Sequence, residues 1–393
     1  MSRFPLLPEK QSYGPIGVLM GGPSAEREIS LKSGEAVTKA LLKKGYCVTP
    51  VVLTAKDAMG LPLPDPASLA SRRSQGPADG RQAGVVSEAV LARGVGPKDH
   101  VPRARGALKA RPLSSSHREE VKTCLKSLHL DVAFIALHGT FGEDGCVQSI
   151  LEELGISYTG SGIAASQRAF HKITAQEIFC RHQIPVPAFM RGRLSDRFDL
   201  KELSRVVGDF PWVIKPASEG SSIGITIVSE EAGFLPALNK AFAYGQEILI
   251  ERYISGREVT VGILGERALP VVEIRSKNAF FDYQAKYEKG RTEYLVPAPL
   301  AAGLSRKLQD IALRAHRLLG CRDLSRVDIL LDDRLSPYVI DVNTIPGFTS
   351  MSLLPMAAAR AGLTFEDLCG KLVEMAWERG GTQQATSSVF PKF

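Results

Sequence analysis

The sequence lacks the features that mark secreted, membrane-spanning and zinc-binding proteins. It has six cysteines in 393 residues, without a Cys-x-x-Cys pair or a histidine at zinc-finger spacing, which favours reduced thiols over a disulfide framework or a zinc site. No apolar run approaches the ~18 residues of a membrane helix, the N-terminus has no signal-peptide core, and no Asn-x-Ser/Thr sequon occurs. We therefore expect a cytoplasmic protein with no membrane partner.

Acidic and aromatic residues are scarce in one segment, residues 66–118. It holds ten Lys or Arg, three Asp or Glu and no Phe, Trp or Tyr, so it accounts for the whole net charge of +7. Such a segment buries too little apolar surface to offset its ordering entropy, which predicts a disordered insertion. A polyanion-binding role is the alternative, but the aromatic platforms of single-strand nucleic-acid sites are missing, and we expect no nucleic-acid partner.

Hydrophobic patterns divide the rest of the chain into α/β and α+β parts. Strand patterns at 16–20, 48–53 and 131–137 alternate with helical patterns through Leu42 and at 147–154, which predicts a parallel sheet covered by helices. A helix over 165–182 opens a second part, with strands at 212–214, 224–228 and 247–251 around a helix at 235–244. Further strands at 259–264, 269–274, 327–331 and 338–342 accompany helices at 304–319 and 365–377.

These patterns predict three domains. They are an N-terminal α/β domain at 1–165 that contains the insertion, a central domain at 166–258, and a C-terminal domain at 259–380. A polar, flexible tail follows at 381–393.

A glycine- and serine-rich loop is the clearest candidate for phosphate binding. The run 215–224, KPASEGSSIG, lies between two strand patterns, and no Walker A motif occurs. Backbone N–H groups of such a loop can close over phosphates while Lys215 neutralises their charge; a plain hairpin is the alternative. The run Gly160–Ala165 fits a Gly-x-Gly-x-x-Ala dinucleotide fingerprint, but it falls mid-domain without the two flanking strand units, which favours a plain helix-entry turn.

Three oxygen-bearing side chains occur on two neighbouring strand patterns. Asp341 and Asn343 are two residues apart and so share one face of a strand, and Asp328 lies on the strand before it. Hard oxygen ligands completed by substrate phosphates are typical of Mg²⁺ sites. Asp332 and Asp333 fit a solvated turn instead.

Five motifs in order give the chain a close resemblance to the D-alanine–D-alanine ligases of the ATP-grasp superfamily. They are the GGPSAEREIS run at 21–30, LHGTFGEDG at 137–145, KPASEGSSIG at 215–224, YQAKY at 283–287 and NTIPGFT at 343–349. The resemblance spans about residues 14–380. It implies a three-domain ATP-grasp fold with an N-terminal parallel-sheet, or pre-ATP-grasp, domain.

The resemblance also implies where ATP and its metals bind. Lys172 and Lys215 match the lysines that contact the phosphates. The run Glu251, Arg252, Tyr253 and Ile254 matches the adenine-reading hinge, and Glu258 matches the ribose-binding acid. Asp328, Asp341 and Asn343 match the ligands of two Mg²⁺ ions, for which Mn²⁺ can substitute.

For the amino-acid substrates, the resemblance implies two D-alanine sites. Glu26 matches the residue that pairs with the ammonium of the first D-alanine, with His138 nearby. Arg326 and the Gly347 N–H match the oxyanion-stabilising groups. Lys286 and Ser352 match residues for the carboxylate of the second D-alanine and the adjacent phosphate, and Tyr287, Ser221 and Glu26 match a hydrogen-bonded trio that holds the closing loop.

Several of these residues also have simpler interpretations. Glu26 and Arg27 fit first-turn charges of a helix, and His138 fits a buried structural histidine. Glu143 and Asp144 are interpreted as structural, capping the helix that follows.

Two departures from the family pattern bear on activity. Asp341 stands where the family usually has Glu, and His171 stands where it usually has Asp before the phosphate lysine. The implied function is ATP-dependent synthesis of D-alanyl-D-alanine through an acyl phosphate, for peptidoglycan precursors. The resemblance also implies a homodimer. The alternatives are a D-alanyl-D-serine or D-alanyl-D-lactate ligase and, because of Asp341, a degenerate ATP-binding protein without catalysis.

Overall fold

Three β-sheets with flanking helices make up the protein, shown by a computed structural model that describes residues 14–53, 115–276 and 292–387. The predicted insertion lies outside the described residues as far as 114. For residues 115–118 the prediction of disorder is wrong, because a helix begins at Ser115. Within the described residues, no helix combines the length and apolar character that a membrane span requires.

The N-terminal part is the predicted parallel sheet, in the strand order β2-β1-β3-β4. Its elements are β1 (Ile16–Gly21), α1 (Arg27–Lys43), β2 (Val48–Leu53), α2 (Ser115–Ser127), β3 (Val132–Ile135), α3 (Cys146–Leu154) and β4 (Ser157–Tyr158). Val18 and Met20 pack towards α1, whereas Leu19 packs with Leu125 of α2 and Ile150 of α3. Both faces of β1 are therefore buried, as its continuous apolar run predicts.

The central part is an antiparallel sheet in the order β5-β8-β6-β7. Its elements are α4 (Ile163–Phe170), α5 (Lys172–Arg181), β5 (Phe189–Arg193), α6 (Leu200–Val207), β6 (Trp212–Pro216), β7 (Thr226–Val228), α7 (Phe234–Phe242) and β8 (Glu247–Arg252). Trp212 and Ile250 form the core of this part with Leu203 of α6 and Phe234 of α7.

The third sheet runs β12-β11-β9-β13-β14, with β10 paired to β9. Its elements are β9 (Arg257–Leu264), β10 (Arg267–Ala268), β11 (Val272–Ser276), β12 (Thr292–Leu295), α8 (Ala302–Leu319), β13 (Leu324–Leu331), β14 (Pro337–Asn343), α9 (Leu353–Arg360) and α10 (Phe365–Ser387). Val259 and Val261 of β9 pack against Leu308 of α8. The predicted mixture of a parallel sheet and antiparallel sheets with helices is confirmed.

Three predicted elements differ in the structure. The single helix expected at 165–182 is two helices, because His171 between them has an extended backbone, with φ −86° and ψ 95°. The strand expected from Leu269 begins at Val272, after Pro270, which has no N–H for a sheet ladder. The helix of the C-terminal part continues to Ser387 instead of ending before Gly380. The three domain boundaries stay predictions.

Candidate functional site

A buried ion pair holds Lys215 at the end of β6. Its Nζ lies 2.7 Å from Glu251 Oε2 on the paired strand β8, and Glu251 Oε1 accepts a hydrogen bond from Gln176 of α5. Lys215 and Glu251 are 5% and 3% exposed. Because an unpaired buried charge is costly, this pair fixes the lysine in place.

Lys172 occupies the N-terminus of α5 and contacts two segments of the site. Its Nζ donates to the backbone oxygen of Glu219 over 2.8 Å and lies 3.4 Å from Asp341 Oδ1. The helix begins there because His171 caps it: Nδ1 accepts the Thr174 N–H over 3.3 Å. A helix N-terminus combined with a buried lysine is favourable for an anion.

The loop between β6 and β7 is held close to Glu26. Ser221 donates its hydroxyl to Glu26 Oε1, and a Cβ on Gly220 would stand 2.5 Å from Glu26 Oε2. Ser221 and Ser222 have φ of +49° and +61°, a left-handed conformation that is uncommon for residues with a side chain. The loop connects β6 and β7, as the strand patterns on either side of it predict.

Glu26 stands at the start of α1, where three loops meet. Ser24 organises the turn before it: its hydroxyl accepts the Glu26 N–H over 3.1 Å and donates to His138 O over 2.6 Å. Gly139 has φ +68°, and a Cβ there would lie 2.8 Å from Glu26 Oε2, so glycine is favoured at this position. Arg27 is structural, since Nη1 donates to Gly22 O and Leu53 O.

His138 is buried, and both of its ring nitrogens have protein partners. Nδ1 is 2.9 Å from Ile345 O, and Nε2 is 3.0 Å from Ser33 Oγ. Burial lowers the pKa of His138 below its usual value of 6.5, against the raising effect of the Glu26 charge. The imidazole is therefore neutral at neutral pH.

Two further carboxyl groups lie beside this site. Burial, followed by the charge of Glu26, raises the pKa of Glu143 well above its usual value, although the Gly139 N–H donates to Glu143 Oε1 over 3.0 Å. Burial also raises the pKa of Glu219 to about 7, with Lys172 opposing the shift. Glu143 closes the turn at Gly139 instead of capping α3; Asp144 Oδ1 accepts the Cys146 N–H over 2.9 Å, as predicted for a cap.

The three oxygen side chains predicted to hold metal converge on one face of the third sheet. Asp328 of β13 is directly opposite Asp341 of β14, and Arg326 is opposite Asn343. Asn343 Nδ2 is 3.1 Å from Asp328 Oδ2, and Arg326 binds both Asp328 oxygens over 2.8 Å. Thr260 of β9 donates to Asp328 Oδ1 over 2.6 Å.

The donor chemistry of this trio fits Mg²⁺. Among the described residues, no group of three or more His, Cys, Asp or Glu side chains could hold a metal ion by itself. Two carboxylates and an amide oxygen suit a cation whose coordination shell is completed by substrate oxygens. Asp332, by contrast, caps its turn by accepting the N–H groups of Arg334 and Ser336 over 2.9 and 2.7 Å.

The segment after β14 places Gly347 and Ser352 next to each other. Ser352 Oγ accepts the Thr349 N–H over 3.0 Å, and a Cβ on Gly347 would be 3.5 Å from that oxygen. Gly347 N–H donates no hydrogen bond to the residues that the structure describes. It is therefore available as a donor.

The predicted adenine hinge joins β8 to β9. Arg252 N–H donates to Ala188 O over 2.9 Å, and Tyr253 N–H donates to Pro211 O over 3.1 Å. Ile254 is buried, and Glu258 lies on β9. Lys286 and Tyr287 lie outside the described residues.

The dinucleotide-type run at Gly160 has a structural role. Gly160 N–H donates to Asp323 Oδ2 over 2.8 Å, Arg322 N–H donates to Ser161 Oγ over 3.3 Å, and α4 begins at Ile163. The run is a helix-entry turn packed on the residues before β13.

Sequence reasoning missed Ser33 and left Glu143 outside the site. Glu26, Ser30 and Ser33 recur at positions i, i+4 and i+7, so they share one face of α1. Both serines are fully buried. A polar stripe on the buried face of an otherwise amphipathic helix is the signal that could have identified Ser33.

Two family models match the chain. The D-ala D-ala ligase N-terminus model covers residues 15–161, and the C-terminus model covers residues 178–374. Curated relatives named D-alanine–D-alanine ligase include one from Geotalea uraniireducens, 39% identical over 364 residues, 92% of this chain and 95% of the relative. Another, from Desulforudis audaxviator, is 35% identical over 368 residues, 93% of this chain and 99% of the relative.

A solved structure has the same fold. The D-alanine–D-alanine ligase of Bacillus anthracis, crystallised in complex with ATP, superimposes with a TM-score of 0.69 at 27% identity, covering 94% of this chain and 99% of that one.

Proposed function

The chain belongs to the D-alanine–D-alanine ligase family, and we propose that it joins two D-alanines to D-alanyl-D-alanine at the expense of ATP, with the residues described above in the following roles. The observation that carries the proposal is a continuous set of contacts. The β6–β7 loop binds Glu26 through Ser221, Lys172 contacts both that loop and Asp341, and Asp341 lies opposite Asp328, which Arg326 binds. A carboxylate for an ammonium, a closing phosphate loop and a metal trio are what an ATP-dependent carboxylate–amine ligase requires.

ATP binds with its phosphates near Lys172 and Lys215. The Gly/Ser loop provides backbone N–H groups, and the pair with Glu251 keeps Lys215 oriented before ATP arrives. The N–H groups of Arg252 and Tyr253 already donate to backbone oxygens of the protein, so Ile254 N–H is the hinge donor for adenine. Glu258 receives the ribose.

Asp328, Asp341 and Asn343 would hold two Mg²⁺ ions, or Mn²⁺ in their place, which would neutralise the charge on the phosphates. Arg326 contacts both oxygens of Asp328, so its guanidinium lies beside the carboxylate that would hold metal and is the side-chain donor proposed for the oxyanion.

The first D-alanine binds through its ammonium to Glu26. Its carboxylate attacks the γ-phosphate of ATP, which gives an acyl phosphate and ADP. The amine of the second D-alanine then attacks the acyl carbon, and Arg326 and the Gly347 N–H stabilise the oxyanion that forms. The C–O bond to the phosphate then breaks, and inorganic phosphate leaves with the proton from the attacking nitrogen. The loop held by Ser221 excludes water, which would otherwise hydrolyse the acyl phosphate.

Ser352 and Lys286 receive the carboxylate of the second D-alanine, and Tyr287 completes the trio with Ser221 and Glu26. The cytoplasm as compartment, the absence of nucleic-acid and membrane partners, a homodimeric state and a role in peptidoglycan precursor synthesis are parts of the same proposal.

The test is phosphate release from ATP with D-alanine and Mg²⁺, combined with the mass of the product. We expect phosphate release that depends on D-alanine and a product with the mass of the dipeptide. A product that forms only with D-serine or D-lactate would change the acceptor, and ATP binding without turnover would contradict the proposal. Glu26→Gln is expected to lower kcat/KM for D-alanine by about 100-fold or more, because a charged hydrogen-bond partner is lost.

A further inference from the structure

The loop that carries Gly347 is bound to the N-terminal part of the chain on both sides of that residue. On one side, Ile345 O accepts a hydrogen bond from His138 Nδ1 over 2.9 Å. On the other, Phe348 N–H donates to Ser33 Oγ over 3.1 Å. Ser33 and His138 are themselves joined over 3.0 Å, so the three contacts and the loop close a ring around Pro346 and Gly347.

The direction of every hydrogen bond in this ring follows from the two backbone groups, Ile345 O, which can only accept, and Phe348 N–H, which can only donate. Ile345 O can only accept, so His138 carries its proton on Nδ1. Nε2 of the neutral imidazole then accepts a hydrogen bond from the Ser33 hydroxyl, and the Ser33 oxygen accepts one from the Phe348 N–H. The low pKa of His138 agrees with this neutral tautomer.

Burial and packing make the ring rigid. Ser33 is 0%, Phe348 2% and His138 3% exposed, so water does not compete for these hydrogen bonds. The Phe348 ring packs against Phe134 of β3 and Phe365 of α10, with centroids 5.6 and 5.8 Å apart. Gly347 itself is only partly buried, and its N–H donates to no described residue.

We propose that Ser33 is a positioning residue for the ligation step, and that it acts with His138 to aim the Gly347 N–H at the developing oxyanion. A peptide N–H points where the two flanking residues hold it, and both flanks of Gly347 are held by this relay. Preorganised donors of this kind stabilise a transition state because they need no reorganisation when charge develops. The inference rests on the proposed function and adds a residue to it.

The same geometry gives His138 a role other than substrate contact. Both of its nitrogens are occupied by Ser33 and Ile345, so a direct hydrogen bond to the first D-alanine would require one of these contacts to open. His138 therefore acts on catalysis through the loop.

The experiment compares Ser33→Ala with Ser30→Ala, a matched control on the same helix. Ser30 is equally buried, and its hydroxyl also joins two segments, Gly21 and Ala136, but neither belongs to the Gly347 loop. Two reactions are measured: dipeptide formation, and scrambling of ¹⁸O from the β,γ-bridge of ATP, which reports reversible formation of the acyl phosphate. Thermal unfolding of each variant is recorded alongside.

For Ser33→Ala we expect kcat for the dipeptide to fall about 10- to 100-fold, since a displaced donor costs less than a deleted one. Isotope scrambling and the KM for ATP should stay within about threefold of the unmodified protein. Ser30→Ala should change kcat by less than about threefold even if its melting temperature falls equally.

A double variant tests whether the two residues act as one unit. His138→Gln combined with Ser33→Ala should lower kcat no further than the worse single variant, because either change breaks the same ring.

The proposal is overturned by any of three results: equal kcat for Ser33→Ala and Ser30→Ala, loss of isotope scrambling together with dipeptide formation, or additive effects in the double variant. If the unmodified protein shows no D-alanine-dependent scrambling, the proposed function fails, and this result is distinct from the other three.

Discussion

Charged side chains at the site form cation–carboxylate pairs with each other, so a charged ligand competes with these pairs when it binds. Lys215 is bound to Glu251 and stays oriented. Arg326 is bound to Asp328, and Lys172 is 3.4 Å from Asp341. The metal ligands therefore have cationic partners from the protein itself, and a bound cation would compete with those partners for the carboxylates.

The first prediction at this scale concerns Asp341→Glu. Asp341 is opposite Asp328 across the β13–β14 pair, and the extra methylene would let the carboxylate bridge further towards the phosphates. We expect the Mg²⁺ concentration for half-maximal activity to fall by about threefold or more, and Mn²⁺ to lose any advantage over Mg²⁺, because Mg²⁺ tolerates poor geometry badly. The measurement is a Mg²⁺ and Mn²⁺ titration at fixed ATP and D-alanine.

Asp332→Glu is the matched control. Asp332 is a carboxylate of the same hairpin that accepts hydrogen bonds from its turn and from the Tyr338 hydroxyl. An unchanged half-saturation for Asp341→Glu, or an equal change for both variants, would contradict the prediction.

Helix termini are the elements that present the site. Glu26 directly precedes α1 and Lys172 begins α5, so both residues lie at the positive end of a helix dipole, which is favourable for anionic phosphates and carboxylates. The break between α4 and α5 creates the second of these termini. Without it, Lys172 would lie inside a continuous helix, away from a helix N-terminus.

His171→Ala tests this break. The imidazole accepts the Thr174 N–H and contacts Glu247 Oε2 over 3.3 Å, so its removal is expected to cost about 1 kcal/mol of stability, the usual worth of an N-cap. KM for ATP should rise, because without the cap the first turn of α5, which carries Lys172, is held less firmly.

His171→Asn, which restores a neutral cap, should recover most of both effects. Urea-induced unfolding measures the loss of stability, and the dependence of activity on ATP concentration gives the KM. An Asn variant as impaired as the Ala variant would contradict the assignment of His171 as a cap.

At the scale of the whole molecule, one buried cluster connects the first sheet, the third sheet and the last helix. Arg379 of α10 donates to Asp323, just before β13, and to Tyr158 O of β4 over 2.7 Å. Asp323 also accepts the Gly160 N–H over 2.8 Å. Since Glu26 and His138 belong to the N-terminal part and Gly347 to the C-terminal part, the alignment of the site depends on this connection.

Arg379→Ala should therefore destabilise the protein by about 3 kcal/mol, because Asp323 would remain buried without its charged partner. Arg317→Ala removes an arginine from the exposed pair with Glu266 and should cost less than about 1 kcal/mol. The two variants are compared by melting temperature. A similar fall in melting temperature for both variants would show that the Arg379–Asp323 cluster does not stabilise the contact between the N-terminal and C-terminal parts.

The sequence by itself determined the elements and the family of the protein. Alternation of apolar runs with amphipathic helices produced the parallel sheet around β1, and the two-residue periodicity of a strand is enough to place Asp341 and Asn343 on one face of β14. The Gly/Ser loop, Lys172 and Glu26 are recognisable in the sequence because glycine, lysine and carboxylate have local chemistry that does not depend on distant neighbours.

Only the tertiary structure decided which of these groups meet. Ser33 and Phe348 are 315 residues apart, and Ser221 and Glu26 are 195 apart. No local pattern specifies such pairs, because they depend on how three sheets pack. The pattern also placed one helix over 165–182, since helical periodicity continues through His171 and only the cap formed with Thr174 and Glu247 breaks it. Local sequence thus set the chemistry available, and packing set the contacts that make it a site.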